Sequence, residues 1–178
     1  MSDQGDPLAR IAEALERLAP PPPRATDWGA APAYVWDGTA RAVDRLVAPP
    51  LDLLQGIDAQ KAVVTANIQR LAAGHAAHDM LLWGSRGMGK SALLRAGVSA
   101  AQAADPAAIA LVQVAPEALS SLAALFGQLR GQTRHFLVFI DDLGFEDGDS
   151  SGPRALRSWL EGGVEARPAN VRLAVTSN

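Results

Sequence analysis

One run of twelve residues, Met80 to Ser91, constrains this chain more than any other: Met-Leu-Leu-Trp-Gly-Ser-Arg-Gly-Met-Gly-Lys-Ser. Four mostly apolar residues predict a buried strand over 80–83. The strand runs into Gly84, Ser85, Arg86, Gly87, Met88, Gly89, Lys90 and Ser91, which fill the pattern G-x-x-x-x-G-K-S/T in full. Glycines there let the backbone fold tightly and present successive N–H groups, and the start of the next helix adds its own, making an anion cradle. Residues 92–104 supply that helix, with Leu93, Leu94, Val98 and Ala101 on one side. In such a cradle Lys90 reaches the β- and γ-phosphates of a nucleotide, and the Ser91 hydroxyl ligates Mg²⁺. The competing reading is a glycine-rich turn with a solvated lysine, which the strand before and the helix after argue against. Lys61 and Lys90 are the only lysines among 16 basic residues. In so arginine-biased a chain, a lysine at this position suggests a need for its compact ammonium.

The second half of such a site is a carboxylate. Phe136-Leu137-Val138-Phe139-Ile140 is apolar on both faces, as the middle strand of a parallel sheet should be, and it ends in Asp141-Asp142. A strand ending in Asp delivers a metal-holding carboxylate to the edge where ligands bind in open α/β folds, so Asp141 takes the Walker B position. Asp142 is a candidate to orient and deprotonate a water, with Glu146 as its competitor. A strand over 171–176 closes the pattern, followed by Ser177 and Asn178. If that strand lies between the phosphate-loop strand and the Asp141 strand, a polar side chain at its end faces the γ-phosphate. Asn178 is the better placed, and Thr176 is second.

Around these pieces the chain reads as strands alternating with helices: a strand over 109–114, a helix over 119–129, an acidic loop over 144–152 and a helix over 153–161. The expected class is α/β, three-layered, with a parallel sheet and right-handed crossovers. Upstream, 59–73 predicts a helix, with Asp58 as its N-cap and Gly74 as its stop. The signal over 24–50 is weaker. Residues 33–36 read as a short extended piece and 38–48 as a helix on the spacing of Ala42, Val43, Leu46 and Val47. Trp28, Tyr34 and Trp36 read as core rather than as a base-stacking platform. His75 and His78, with only Asp79 for a third ligand, read as a solvated linker rather than a metal site. Residues 1–23 form a separate unit, an amphipathic helix over 6–19 and a stiff spacer at Pro20 to Pro23, before a nucleotide-binding domain over 24–178. The stripe of that helix (Leu8, Ile11, Leu15, Leu18) packs on the body or pairs with a second copy.

Composition removes several classes. Zero cysteines exclude disulfides, thiolate catalysis and Cys-based zinc sites. A net charge of −3 gives no dedicated nucleic-acid signal. No segment has the length of a membrane span, and the polar, acidic N-terminus has no leader pattern, so the expected location is cytoplasmic.

At this point a resemblance can be stated. Leu82 through Ser91, Ile140-Asp141-Asp142-Leu143 with Phe145-Glu146, the run Leu160-Glu161-Gly162-Gly163-Val164-Glu165-Ala166-Arg167-Pro168, and the closing Ala174-Val175-Thr176-Ser177-Asn178 resemble an uncharacterised bacterial family of AAA-type P-loop ATPases. The likeness covers about Tyr34 to the end, and the 160–168 run is its most family-specific part. It implies ATP and Mg²⁺ as cofactors, Lys90 and Ser91 as Walker A residues, Asp141 as Walker B and Asn178 as the sensor that helps position water. It also implies that Gly56 and Ile57 form the loop that contacts adenine. Two departures stand out. AAA proteins generally carry Glu where this chain has Asp142, one methylene shorter. They also continue past the sensor with a fifth strand, an arginine acting on the neighbouring subunit and a helical lid. The expectation is therefore a truncated AAA module whose 80–83 strand has an open edge inviting homo-oligomer formation, with weak activity for this chain alone. The leading function is ATP hydrolysis driving conformational change in an oligomer or a protein partner that the sequence does not name. A nucleotide-dependent binding module without turnover is second, and a small-molecule kinase is last.

Overall fold

In the computed structural model the described residues are 25–143 and 167–178, together with Leu8, Ile11, Leu15 and Arg17, which are helical. The rest of the expected first helix, the 20–23 spacer, the acidic loop with Glu146 and the helix expected over 153–161 lie outside the described residues.

Six strands form one sheet: β1 (Ala33–Trp36), β2 (Ala40–Val43), β3 (Met80–Trp83), β4 (Ile109–Val114), β5 (His135–Ile140) and β6 (Val171–Ser177). Their order is β2-β1-β4-β5-β6-β3. Every pairing is parallel except β1 with β2. The helices are α1 (Asp58–Ala72), α2 (Lys90–Ala104) and α3 (Leu122–Leu129). They cover both faces, because side chains alternate across a strand. Ala110, Val112, Val114, Phe136, Val138 and Ile140 pack with Leu122, Leu125, Phe126 and Leu129 of α3. Ile109, Leu111, Leu137, Phe139 and Ala174 face the other way, onto Val64 and Ile68 of α1 and Leu93, Leu94 and Val98 of α2. This double coverage is why β4 and β5 read as nearly continuous apolar runs, interrupted in β4 only by Gln113. Each large side chain so buried contributes roughly 1.5–3 kcal/mol.

The region over 38–48 departs from expectation. It holds no helix: residues 40–43 form β2, which turns back antiparallel onto β1. The turn explains the difference. Asp37 accepts hydrogen bonds from the Thr39 N–H (3.1 Å) and hydroxyl (2.9 Å), which hold its carboxyl below the usual carboxylate range. Gly38 sits at φ +107°, a value that residues with a side chain rarely adopt. An Asp-Gly turn outweighs four apolar residues at a loosely helical spacing.

Trp28, Tyr34 and Trp36 are core, as expected, at 3%, 1% and 0% exposure. The Tyr34 hydroxyl donates to the Asp27 carbonyl and accepts from the Ala31 N–H. The Trp36 indole donates to Ser121 Oγ at 2.8 Å. Beneath them lies Arg134, which the sequence did not single out. Burial lowers its pKa, and five backbone carbonyls, from Trp28, Gly29, Ala31, Pro106 and Ile109, take its terminal N–H groups. One buried cation thus ties the start of the domain to the loop before β4 and to the first residue of that strand.

The stop of α1 is as expected and its start is not. Gly74 adopts φ +72°, the His75 N–H reaches the Arg70 carbonyl, and the Gly74 N–H reaches the Leu71 carbonyl. This left-handed cap favours glycine. Gly74→Ala should lower stability by about 1 kcal/mol, from the left-handed strain on an L side chain, read as a drop in the urea midpoint at unchanged slope. Asp58 makes no capping bond. It is the first helical residue and pairs with Lys61 at 2.8 Å.

Candidate functional site

Parallel strands end on one side of a sheet, so the carboxyl ends of β3, β5 and β6 bring their following residues together. The order β5-β6-β3 puts β6 between the glycine loop and Asp141. The loop over 84–89 opens at Gly84, whose N–H donates to the Ser177 carbonyl across the β3–β6 gap. Gly84, Gly87 and Gly89 have φ of +144°, +78° and +82°. Open space lies where a Cβ would stand on Gly84 or Gly87. Gly89 is the cap from which α2 starts at Lys90, so the loop leads directly into a helix N-terminus.

The side chains that the sequence selected meet here. Ser91 Oγ donates to Asp141 Oδ1 at 2.6 Å. Lys90 Nζ donates to the Gly84 carbonyl, to the Ser85 carbonyl at 3.0 Å and to Asn178 Oδ1 at 3.1 Å. Asn178 Nδ2 in turn donates to Asp142 Oδ1. Lys90, Asn178 and Asp142 thus form a chain across the end of the sheet. With Arg86 to Ala92 and Thr176 they line a cleft of 450 Å³. That volume is within the range of small-molecule sites.

Two contacts were hidden from the sequence. Arg86 Nη2 pairs with Asp142 Oδ2 at 2.9 Å, bridging the glycine loop and the β5 end. The pair is exposed, so it contributes little stability, but it occupies the second oxygen of Asp142. Thr176 faces Asp141 rather than the cleft mouth: its Oγ1 donates to Asp141 Oδ1 at 2.7 Å and accepts the Asp142 N–H at 2.8 Å. Alternation along β6 already placed Thr176 and Asn178 on one face. Which of them meets Asp141 depends on strand order.

A second, more apolar groove of 1290 Å³ adjoins the cleft. Ile57, Val63, Leu82 and Leu93 line it, and it shares Met88, Gly89 and Lys90 with the cleft. Ile57 therefore comes beside the loop, whereas Gly56, at φ +76°, lines neither space. β3 is in place but is not the buried strand its apolar residues predicted: it lies at the end of the sheet order, and on its open face Leu81 and Trp83 are 61% and 81% exposed. Among the described residues no three His, Asp or Glu side chains gather where they could hold a metal. No described helix is long and apolar enough to cross a membrane.

Comparison with known proteins gives a family and no chemistry. No curated protein matches the chain. One family model matches residues 29–178, and its description is a protein of unknown function, DUF815. That match takes in every strand of the sheet and every residue of the cleft, and the chain belongs to the DUF815 family.

Proposed function

We propose that the cleft binds Mg·ATP and that the protein is an AAA-type P-loop ATPase. The observation that carries the reading is the Ser91–Asp141 hydrogen bond at 2.6 Å, formed at the foot of a left-handed glycine loop that opens a helix. A hydroxyl and a carboxylate joined there are the donor pair that a phosphate-bound Mg²⁺ requires. Two protein oxygens do not hold Mg²⁺ alone, so the pair makes sense only with phosphate oxygens completing the shell. The loop N–H groups and Lys90 would hold the phosphates, and the apolar groove beside Ile57 has room for a base. When bound, Mg²⁺ would neutralise charge on the phosphates. Asn178 and Asp142, joined to each other, would orient water, and Asp142 would accept its proton.

A second reading has its own support. Both oxygens of Asp142 are engaged, one by Arg86 and one by Asn178, and its carboxylate is one methylene shorter than glutamate. A base so restrained fits a binding module that changes shape with nucleotide and turns over little. The test is equilibrium binding of a fluorescent ATP analogue with and without Mg²⁺, paired with steady-state phosphate release. Saturable, Mg²⁺-enhanced binding with release is expected for the ATPase. Binding without release selects the module, and no binding overturns both.

A further inference from the structure

We infer that Thr176 is a positioning residue that sets the geometry of both carboxylates through one hydroxyl, an inference that rests on the Mg·ATP reading above. Thr176 is 1% exposed, so its Oγ1 cannot turn to water for partners. A hydroxyl has one proton to donate, and this one goes to Asp141 Oδ1. A lone pair of the same oxygen receives the Asp142 N–H. Asp141 Oδ1 is thereby held from two sides, by Ser91 from α2 and by Thr176 from β6, which fixes the side-chain rotamer. Among the described residues Asp141 Oδ2 takes no hydrogen bond and stays available. Asp142 is the one non-glycine described residue with positive φ, at +51°. Such strain persists where the surroundings impose it. Here the Asp142 N–H is fixed to Thr176 Oγ1 while the next N–H, from Leu143, is fixed to the Thr176 carbonyl. One residue of β6 therefore grips both ends of the left-handed turn that presents the Asp142 carboxylate.

A simple packing role would need only the shape of Thr176, which valine reproduces. Positioning needs the hydroxyl, which serine keeps. Thr176→Val should raise the half-saturating Mg²⁺ concentration about 10-fold and lower kcat about 10- to 100-fold, as loss of a ligand-orienting partner does. Its affinity for the fluorescent ATP analogue in EDTA should stay within about two-fold of the parent, because the loop N–H groups and Lys90 are untouched. Thr176→Ser should return both Mg²⁺ dependence and kcat to within about three-fold of the parent, since its hydroxyl restores the partner. Mn²⁺ binding to the protein–nucleotide complex, followed by electron paramagnetic resonance, gives the same comparison without turnover. Thr176→Ala repeats the deletion if the valine variant does not fold. A valine variant with parental Mg²⁺ dependence overturns the inference and leaves the nucleotide reading intact. Equal impairment of the valine and serine variants overturns it too, by pointing to the methyl group. A parent that binds no Mg·ATP overturns both.

Discussion

Lys90→Ala is expected to weaken binding of Mg·ATP by about 100-fold or more, the scale of removing one partner from a desolvated charge contact. Lys90 Nζ already sits among three oxygens, the Gly84 and Ser85 carbonyls and Asn178 Oδ1. The ammonium therefore stands at the centre of the loop, where phosphate oxygens would compete for it. Among the described residues nothing near it replaces the charge: Arg86 faces Asp142, and Lys61 is held by Asp58 and the Leu51 carbonyl. Lys90→Arg should bind poorly as well. A rigid planar fork does not converge on three oxygens as a compact ammonium does. That second variant separates charge from shape. Neither should alter the thermal midpoint by more than about 3 °C, because surface-side substitutions away from the core move stability little. A calorimetric titration in which Lys90→Ala binds as tightly as the parent removes the phosphate-loop assignment.

How much of this was legible beforehand depended on whether a feature is local or requires strand order. The glycine loop, its flanking strand and helix, and Asp141 at the end of an apolar run are local, and each stands where the residues put it. So do β4 and β6, whose burial on both faces leaves mostly apolar stretches, Ile109 to Val112 in β4 and Leu173 to Val175 in β6. The β1–β2 hairpin failed for a physical reason. Ala40–Val43 is a mostly exposed edge strand with little apolar signal, and its identity lies in the Asp37-Gly38-Thr39 turn rather than in periodicity. The Arg134 cluster, the Arg86–Asp142 pair and the Thr176 bridge join residues tens of positions apart. Each depends on the order β1-β4-β5-β6-β3, which no spacing in the chain specifies. The site's inventory was therefore local, and its wiring was not. Asp142 illustrates the difference: its identity was plain, whereas its two restraints and its positive φ became visible only with β6 and the loop in place.

Those restraints make Asp142 the sharpest discriminator of what the cleft does. Asp142→Asn should leave Mg·ATP affinity within about three-fold of the parent and cut phosphate release by about 100-fold or more, the contribution of a positioned general base. Affinity survives because the residues that would hold the phosphates and the metal, Lys90, Ser91 and Asp141, keep their own contacts. The asparagine keeps one acceptor oxygen, enough for Arg86 or for Asn178 but not for both, and its backbone N–H remains tied to Thr176 Oγ1, so the turn is preserved while the basicity and one of the two side-chain contacts are lost. The Arg86 ion pair is lost or reduced to a hydrogen bond from a cation to an amide oxygen, and in this exposed setting the change is small enough to leave folding alone. A parent that releases phosphate and an asparagine variant that binds but does not would place the proton transfer at Asp142. Equal release by the two would move the base elsewhere, and Glu146 is then the next carboxylate to replace. If neither turns over while both bind, the cleft is a nucleotide sensor, and the Arg86–Asp142 bridge between loop and sheet is the contact in which to seek its output.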